Sequence, residues 1–160
     1  MSMRFRDSVV WVTGASSGIG EATARQFYAE GAHVVLSARR KDELERVAAS
    51  CSGSGDALVL PFDVTDQTAV SEAVSAVIDR FGRVDILFNN AGITQRARVA
   101  DANLDVYRRM MDVNFFGPLM LTKAVLPSML ARESGHIVCT TSVAGKYGSP
   151  MRSGYNAAKH

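Results

Sequence analysis

Val9-Val10-Trp11-Val12-Thr13-Gly14-Ala15-Ser16-Ser17-Gly18-Ile19-Gly20 joins a short apolar run to a glycine-rich turn, and a helix-like segment from Glu21 to Glu30 follows. Such a turn between a strand and a helix lets the backbone approach a pyrophosphate, whose charge is favoured by free N–H groups and the positive helix end. The spacing is GxxxGxG. It differs from GxGxxG and lacks the lysine of a P-loop, which argues against an ATPase. The alternative is a tight strand-to-helix turn whose glycines serve backbone geometry alone.

Apolar runs like Val9 to Val12 recur at His33 to Ala38, Ala57 to Leu60, Val84 to Phe88 and His136 to Thr140. Each is short and rich in Val, Ile or Leu, the composition of strands buried on both faces. Helix-length segments lie between them. In Asp66 to Phe81, Val70, Val74, Val77, Ile78 and Phe81 repeat at spacings of three and four, which is one face of an amphipathic helix. Strand and helix alternate throughout, which predicts an α/β fold: a Rossmann-like doubly wound parallel sheet in a three-layer α/β/α arrangement.

The 160 residues, 47% of them hydrophobic, suit a single domain spanning 1–160. Small-residue segments at Ser50 to Gly55 and Ser142 to Gly154 are too short to divide it. The sequence stops at His160, inside a helix beginning near Gly154 and before the strand such a helix should lead into, so the C-terminal strands are expected to be missing. The strand at Ile137 to Thr140 would then lie at a sheet edge, leaving the isolated chain sticky and marginal. A stable, monodisperse monomer would contradict that expectation.

Eighteen basic and 16 acidic residues are mixed along the chain, giving +2 without a basic tail or stripe, so neither nucleic acid nor a membrane surface is an expected partner. The N-terminal apolar stretch ending at Gly14 is too short to span a bilayer and has no cleavage site. Cys51 and Cys139 belong to no disulfide or metal pattern, and His33, His136 and His160 fall in no ligand spacing. No metal is assigned, and a soluble, reducing cytoplasmic setting is expected. Trp11, Tyr28, Tyr107 and Tyr147 read as packing groups.

About 20 residues beyond the glycines, an NAD site would place an acid against the ribose 2′-OH. Here stand Arg39 and Arg40. Guanidinium groups offer paired donors to a 2′-phosphate, which points to NADP(H) in preference to NAD(H); the alternative is a solvated helix start.

Tyr155 and Lys159 are four residues apart at the start of the last helix, so their Cβ atoms lie on one face about 5–6 Å apart. A tyrosine hydroxyl ordinarily titrates near pKa 10, and acid–base work near neutrality requires about 4 kcal/mol of help. An ammonium at about 6 Å supplies about 3 kcal/mol at an effective dielectric of about 20. An oxidised nicotinamide ring alongside would close that gap, which ties the phenol to a cofactor. Ser142 directly follows a strand, where ligands of parallel sheets bind, and its hydroxyl could polarise a carbonyl. Taken separately, the Tyr/Lys pair also fits a helix surface and the serine a turn.

Together these residues resemble the short-chain dehydrogenase/reductase family across the whole chain. Thr13 to Gly20 is similar to its TGxxxGxG turn, and Asn89-Asn90-Ala91-Gly92 to its NNAG segment; Asn114, Ser142, Tyr155 and Lys159 follow in the family's order. The resemblance implies cofactor contacts from Gly14, Ser16, Ser17, Gly18, Ile19, Gly20, Arg39, Arg40, Asp63, Val64, Asn90, Ala91, Gly92, Tyr155 and Lys159. It implies catalysis by Tyr155 as proton donor or acceptor, with Ser142 steadying the substrate oxygen. Lys159 would hold the nicotinamide ribose and lend its charge to the phenol, and Asn114 would hold a water of a proton relay. Asp63 would accept from the adenine amine, although a helix N-cap at Asp63 or Thr65 reads almost equally well. Asn114 alone also reads as a helix-kink or capping residue.

The expected function is hydride transfer between NADP(H) and a carbonyl or alcohol substrate. A dinucleotide sensor without turnover and an inactive truncated fragment are the alternatives. Family members continue well past this point, and the helix from about Asp112 to Ala131 resembles the one through which they dimerise, so the full-length protein is expected to be a homodimer or homotetramer. Phe115 and Phe116 read as core. The Ser37-Ala38-Arg39-Arg40 stretch and the Leu104-Asp105-Val106-Tyr107 segment resemble a branch of steroid dehydrogenase-like, membrane-associated reductases; their N-terminal anchor is not expected here, and neither a steroid substrate nor a membrane site is carried over.

Overall fold

In the computed structural model, which describes residues 3–160, Val9 and Trp11 face one apolar layer while Val10 and Val12 face another, because strand side chains alternate. Strand β1 (Val9–Thr13) is therefore buried on both sides and sits at the centre of a five-stranded parallel sheet. Its neighbours are β2 (His33–Ala38) and β4 (Ile86–Asn89); β3 (Ala57–Pro61) and β5 (His136–Cys139) form the edges, in the order β3-β2-β1-β4-β5. In register, Trp11 pairs with Val35 on one side and Leu87 on the other.

Helices α1 (Gly18–Ala29) and α2 (Lys41–Ala49) cover one face, where Ala24, Leu44 and Val47 meet Val10, Val12, Val34 and Leu36. The other face takes α3 (Gln67–Phe81) and α5 (Gly117–Ala131), whose Val70, Val77, Leu121 and Val125 pack on Trp11, Val35 and Leu87. This is the expected three-layer arrangement. Helix α3 starts where Asp66 accepts from Thr68 N and Ala69 N, and it stops at Gly82, whose φ of +74° closes a left-handed cap.

The expected helix from Asp112 begins earlier. Leu104–Met111 form α4, Asp112–Phe116 a single π turn, and α5 continues to Ala131. The combined run has the length and apolar composition to cross a membrane, yet a third of its most apolar window is buried within the fold. A 3₁₀ turn (Val143–Gly145) and α6 (Ser153–Lys159) complete the chain.

Three sequence expectations need correction. Burial on both faces fails for the edges: every residue of β5 is exposed and β3 is only partly covered, because each has a neighbour strand on one side alone. Phe115 and Phe116 are nearly half exposed, since the π turn directs them away from the sheet while Val113 and Asn114 are buried. Tyr147 is 76% exposed and packs on nothing that covers it.

Candidate active site

The carboxyl ends of β1, β4 and β5 meet under the glycine turn. Gly14 takes a φ of +64°, and a Cβ there would lie 2.9 Å from Ala91 Cα. A Cβ on Gly20 would collide with Gly14 O and come within 2.6 Å of Asn90 Nδ2. Only glycine permits this approach of helix, turn and Asn90-Ala91-Gly92 segment. Ser17 precedes α1 in extended backbone, and no side chain among the described residues caps that helix's first turn, so its N–H groups remain available to an anion.

Thr13, not assigned a role from sequence, holds this junction together. Its hydroxyl accepts from Asn90 N and Ala91 N, each at 3.0 Å. Asn90 Nδ2 donates back to Thr13 O at 3.1 Å, and Thr140 Oγ1 donates to Asn90 Oδ1 at 3.0 Å. The NNAG backbone is thus clamped from both neighbouring strands.

Arg39 and Arg40 follow β2 and face the same cleft. Arg40 Nη2 reaches Ser16 Oγ at 3.5 Å, and Arg46 of α2 donates to Ser16 O at 3.2 Å. Arg46 also pairs with Glu21 at 3.0 Å, as does Arg25 of α1. Hydrogen bonds from Arg46 and then Arg25 hold the Glu21 carboxyl at about 2, so the one acid in the first turn of α1 stays ionised but neutralised. Beyond β3, Asp63 accepts from Thr65 N at 3.0 Å and from Arg109 Nη2 at 2.8 Å. Burial pushes the Asp63 carboxyl up, but the Arg109 and Thr65 donors outweigh it and leave it below the usual range. The alternative reading of Asp63 or Thr65 as an N-cap does not hold: Asp66 caps α3, and Asp63 lines the cleft.

At the opposite end, α6 presents Tyr155 and Lys159 to the cleft, the spacing of one helical turn placing both on one side. Lys159 Nζ donates to Thr140 O at 2.9 Å. A Cβ on Gly92 would lie 2.8 Å from Asn114 Oδ1 and 3.7 Å from Lys159 Nζ, so that glycine keeps the space between them open. Asn114 sits in the π turn, where its Nδ2 donates to Met110 O and Ile93 O and its Oδ1 accepts from Ile93 N. It therefore does act on helix shape, tying the π turn to the loop after β4. Ser142 accepts from Ala144 N at 3.1 Å as the cap of the 3₁₀ turn, which leaves its hydroxyl proton to donate.

These residues border one cleft of about 530 Å³, within the range that holds cofactors. The expected Gly14, Ser16, Ser17, Ile19, Arg39, Arg40, Asp63, Val64, Asn90, Ala91, Gly92, Asn114, Tyr155 and Lys159 all line it. Gly18, Gly20 and Ser142 do not; Gly20 acts from behind the turn. Among the described residues, the lining carries four cations, Arg39, Arg40, Arg109 and Lys159, against the single carboxylate of Asp63. That excess suits a polyphosphate ligand.

Residues 8–160 match the family model described as short chain dehydrogenase. The chain belongs to that family. Human dehydrogenase/reductase SDR family member 7 is 50% identical over 159 residues, a match covering 96% of this chain and 47% of the human protein. The chain thus spans about half the length of the curated relatives it matches. Among solved structures, an NAD+-bound xylitol dehydrogenase superposes with a TM-score of 0.93 at 36% identity, covering 98% of this chain and 61% of the other. A metagenomic short-chain oxidoreductase in complex with NADP gives 0.93 at 33% identity, with 97% and 71% covered. Family members close to this chain in fold therefore include both NAD+ and NADP complexes.

Proposed function

We propose that the protein is an NADP(H)-dependent oxidoreductase acting on a small carbonyl or alcohol substrate, with Tyr155 as its general acid or base. The observation that carries this reading is the polarity of the cleft: Arg39 and Arg40 at one end, Tyr155 and Lys159 at the other, and an uncapped helix start between them. The volume and charge of this cleft fit a phosphorylated dinucleotide. Gly14 would let its pyrophosphate approach the turn that Gly20 supports from behind, Arg39 and Arg40 would hold the 2′-phosphate, and Asp63 and Val64 the adenine end.

A dinucleotide held by Gly14, Arg39, Arg40 and Lys159 would supply the hydride donor or acceptor for the substrate carbon. Tyr155 delivers the matching proton to the carbonyl oxygen in reduction, or removes it from the alcohol in oxidation. Lys159 would hold the nicotinamide ribose, its ammonium kept in place by Thr140 O. Ser142, whose hydroxyl proton is free although it does not line the cleft, would donate to the substrate oxygen, and Asn114, which ties the π turn to the loop after β4, would hold a relay water. The exposed Phe115, Phe116 and Leu119 fit assembly of copies through the α5 side. A cytoplasmic setting belongs to the same proposal.

The test is loss of reduced-nicotinamide absorbance with NADPH and a panel of ketones. Tyr155→Phe is expected to lower turnover by at least about a hundredfold, the low end for lost acid–base catalysis, while NADPH binding persists. Arg39→Ala should lower the NADP/NAD affinity ratio. Turnover by Tyr155→Phe at the parent rate would refute the acid–base role, and an unchanged ratio would remove Arg39 from cofactor choice.

A further inference from the structure

Arg109 was invisible as a site residue in the sequence, yet its guanidinium enters the cleft from α4. Nη2 donates to Asp63 Oδ2 at 2.8 Å, and Nη1 donates to Thr65 Oγ1 at 3.0 Å. The other carboxylate oxygen, Oδ1, accepts from Thr65 N at 3.0 Å and from Thr65 Oγ1 at 2.8 Å. Arg109 from α4 and Thr65 from the loop that carries Asp63 thus hold both carboxylate oxygens between them. A planar guanidinium sets direction as well as charge, which a lone ammonium does not.

The neighbours of Asp63 on either side, Phe62 and Val64, also line this end of the cleft. They offer an apolar wall to a flat ring. An ionised carboxylate can only accept, and each of its oxygens has room for one donor more than it uses when singly bonded. Oδ2 holds one donor here, which leaves a direction for another. The ligand chemistry that fits is a planar base bearing an amino group, at the end of the cleft remote from Tyr155.

We propose that Arg109 is a positioning residue that locks the Asp63 carboxylate to read the exocyclic amine of the cofactor's adenine. This rests on the NADP(H) reading above and deepens it. Arg109 acts on the base through Asp63 and makes α4, which leads directly into the π turn of Asn114, part of the cofactor site.

The test compares NADPH with its deamino analogue, in which a carbonyl replaces the adenine amine, by fluorescence titration of the reduced nicotinamide in the intact protein. The parent protein should bind NADPH about tenfold more tightly than the analogue, the worth of one hydrogen bond to a charged acceptor. In Arg109→Met the preference should shrink to about twofold or less, through weaker NADPH binding and little change for the analogue. Arg109→Lys, which restores the charge but cannot span Asp63 and Thr65 together, should fall between. A purely structural role would weaken both ligands equally. Unchanged preference in Arg109→Met overturns the proposal, as does a parent protein that binds both ligands alike. If Arg109→Met does not fold, Arg109→Lys decides, and the parent preference retained there overturns it. Failure of the parent protein to bind either ligand would instead overturn the NADP(H) reading.

Discussion

At the scale of single residues, the cleft depends on side chains that are absent as much as on those present. Gly20 has its Cα against Gly14 O and Asn90 Nδ2, leaving no room for a methyl group. Gly20→Ala should destabilise the protein by about 1–3 kcal/mol, as overpacking does, and weaken NADPH binding at the same time. Thermal unfolding and cofactor titration check the two effects; a variant with parent stability would show that the turn can yield. The glycines themselves were legible in the sequence because their spacing repeats a known geometry. Arg109 was not, and neither was the clamping role of Thr13, although that residue opens the same turn. Each acts through partners far along the chain, Asn90 for one and Asp63 for the other, and no local pattern marks such a pair.

Among the elements, α3 shows the closest agreement between pattern and structure. Of its apolar stripe, Val70 and Val77 are buried against the sheet and Val74 and Phe81 pack partly covered on the same core, joined by Ala73, which the stripe did not include. Asp66 fixes its start by accepting two backbone N–H groups, at 3.0 and 3.1 Å. Asp66→Ala should cost about 1 kcal/mol, with Asp66→Asn retaining most of the stability. Equal melting temperatures for Asp66→Ala and the parent would argue against the cap. The helical run around Asn114 departed further from expectation. A π turn has no distinctive periodicity in one sequence, so Phe115 and Phe116 read as core although they face outward.

For the whole molecule, three carboxylates tie together parts of the chain far apart in sequence. Glu21 links α1 to α2, Asp63 links the end of β3 to α4, and Asp85 accepts from Val9 N, Arg83 and Arg132 beneath the sheet. Burial raises the Asp85 carboxyl, but Val9 N, Arg83 and Arg132 together bring it below its ordinary 3.8. Glu21 moves from 4.5 to about 2 through Arg46 and Arg25. Groups whose folded values are depressed contribute stability that is complete above their unfolded values and is lost as pH falls through the folded ones. Stability should therefore hold steady above pH 4.5 and decline between 4.5 and about 2. Urea midpoints at about pH 5 and about pH 3 test this, and equal midpoints would contradict it.

By itself the sequence determined the alternation of strands and helices, the glycine turn and the Tyr155/Lys159 spacing, because periodicity and local turn chemistry act over a few residues. Only the tertiary structure decided that β3 forms the second edge, that Thr13 and Thr140 clamp Asn90 from opposite sides, and that Arg109 faces Asp63. Those facts follow from the order in which strands pair and from which helix lands on which face. Both are set by the packing of all the layers together, which a reading of neighbouring residues does not contain.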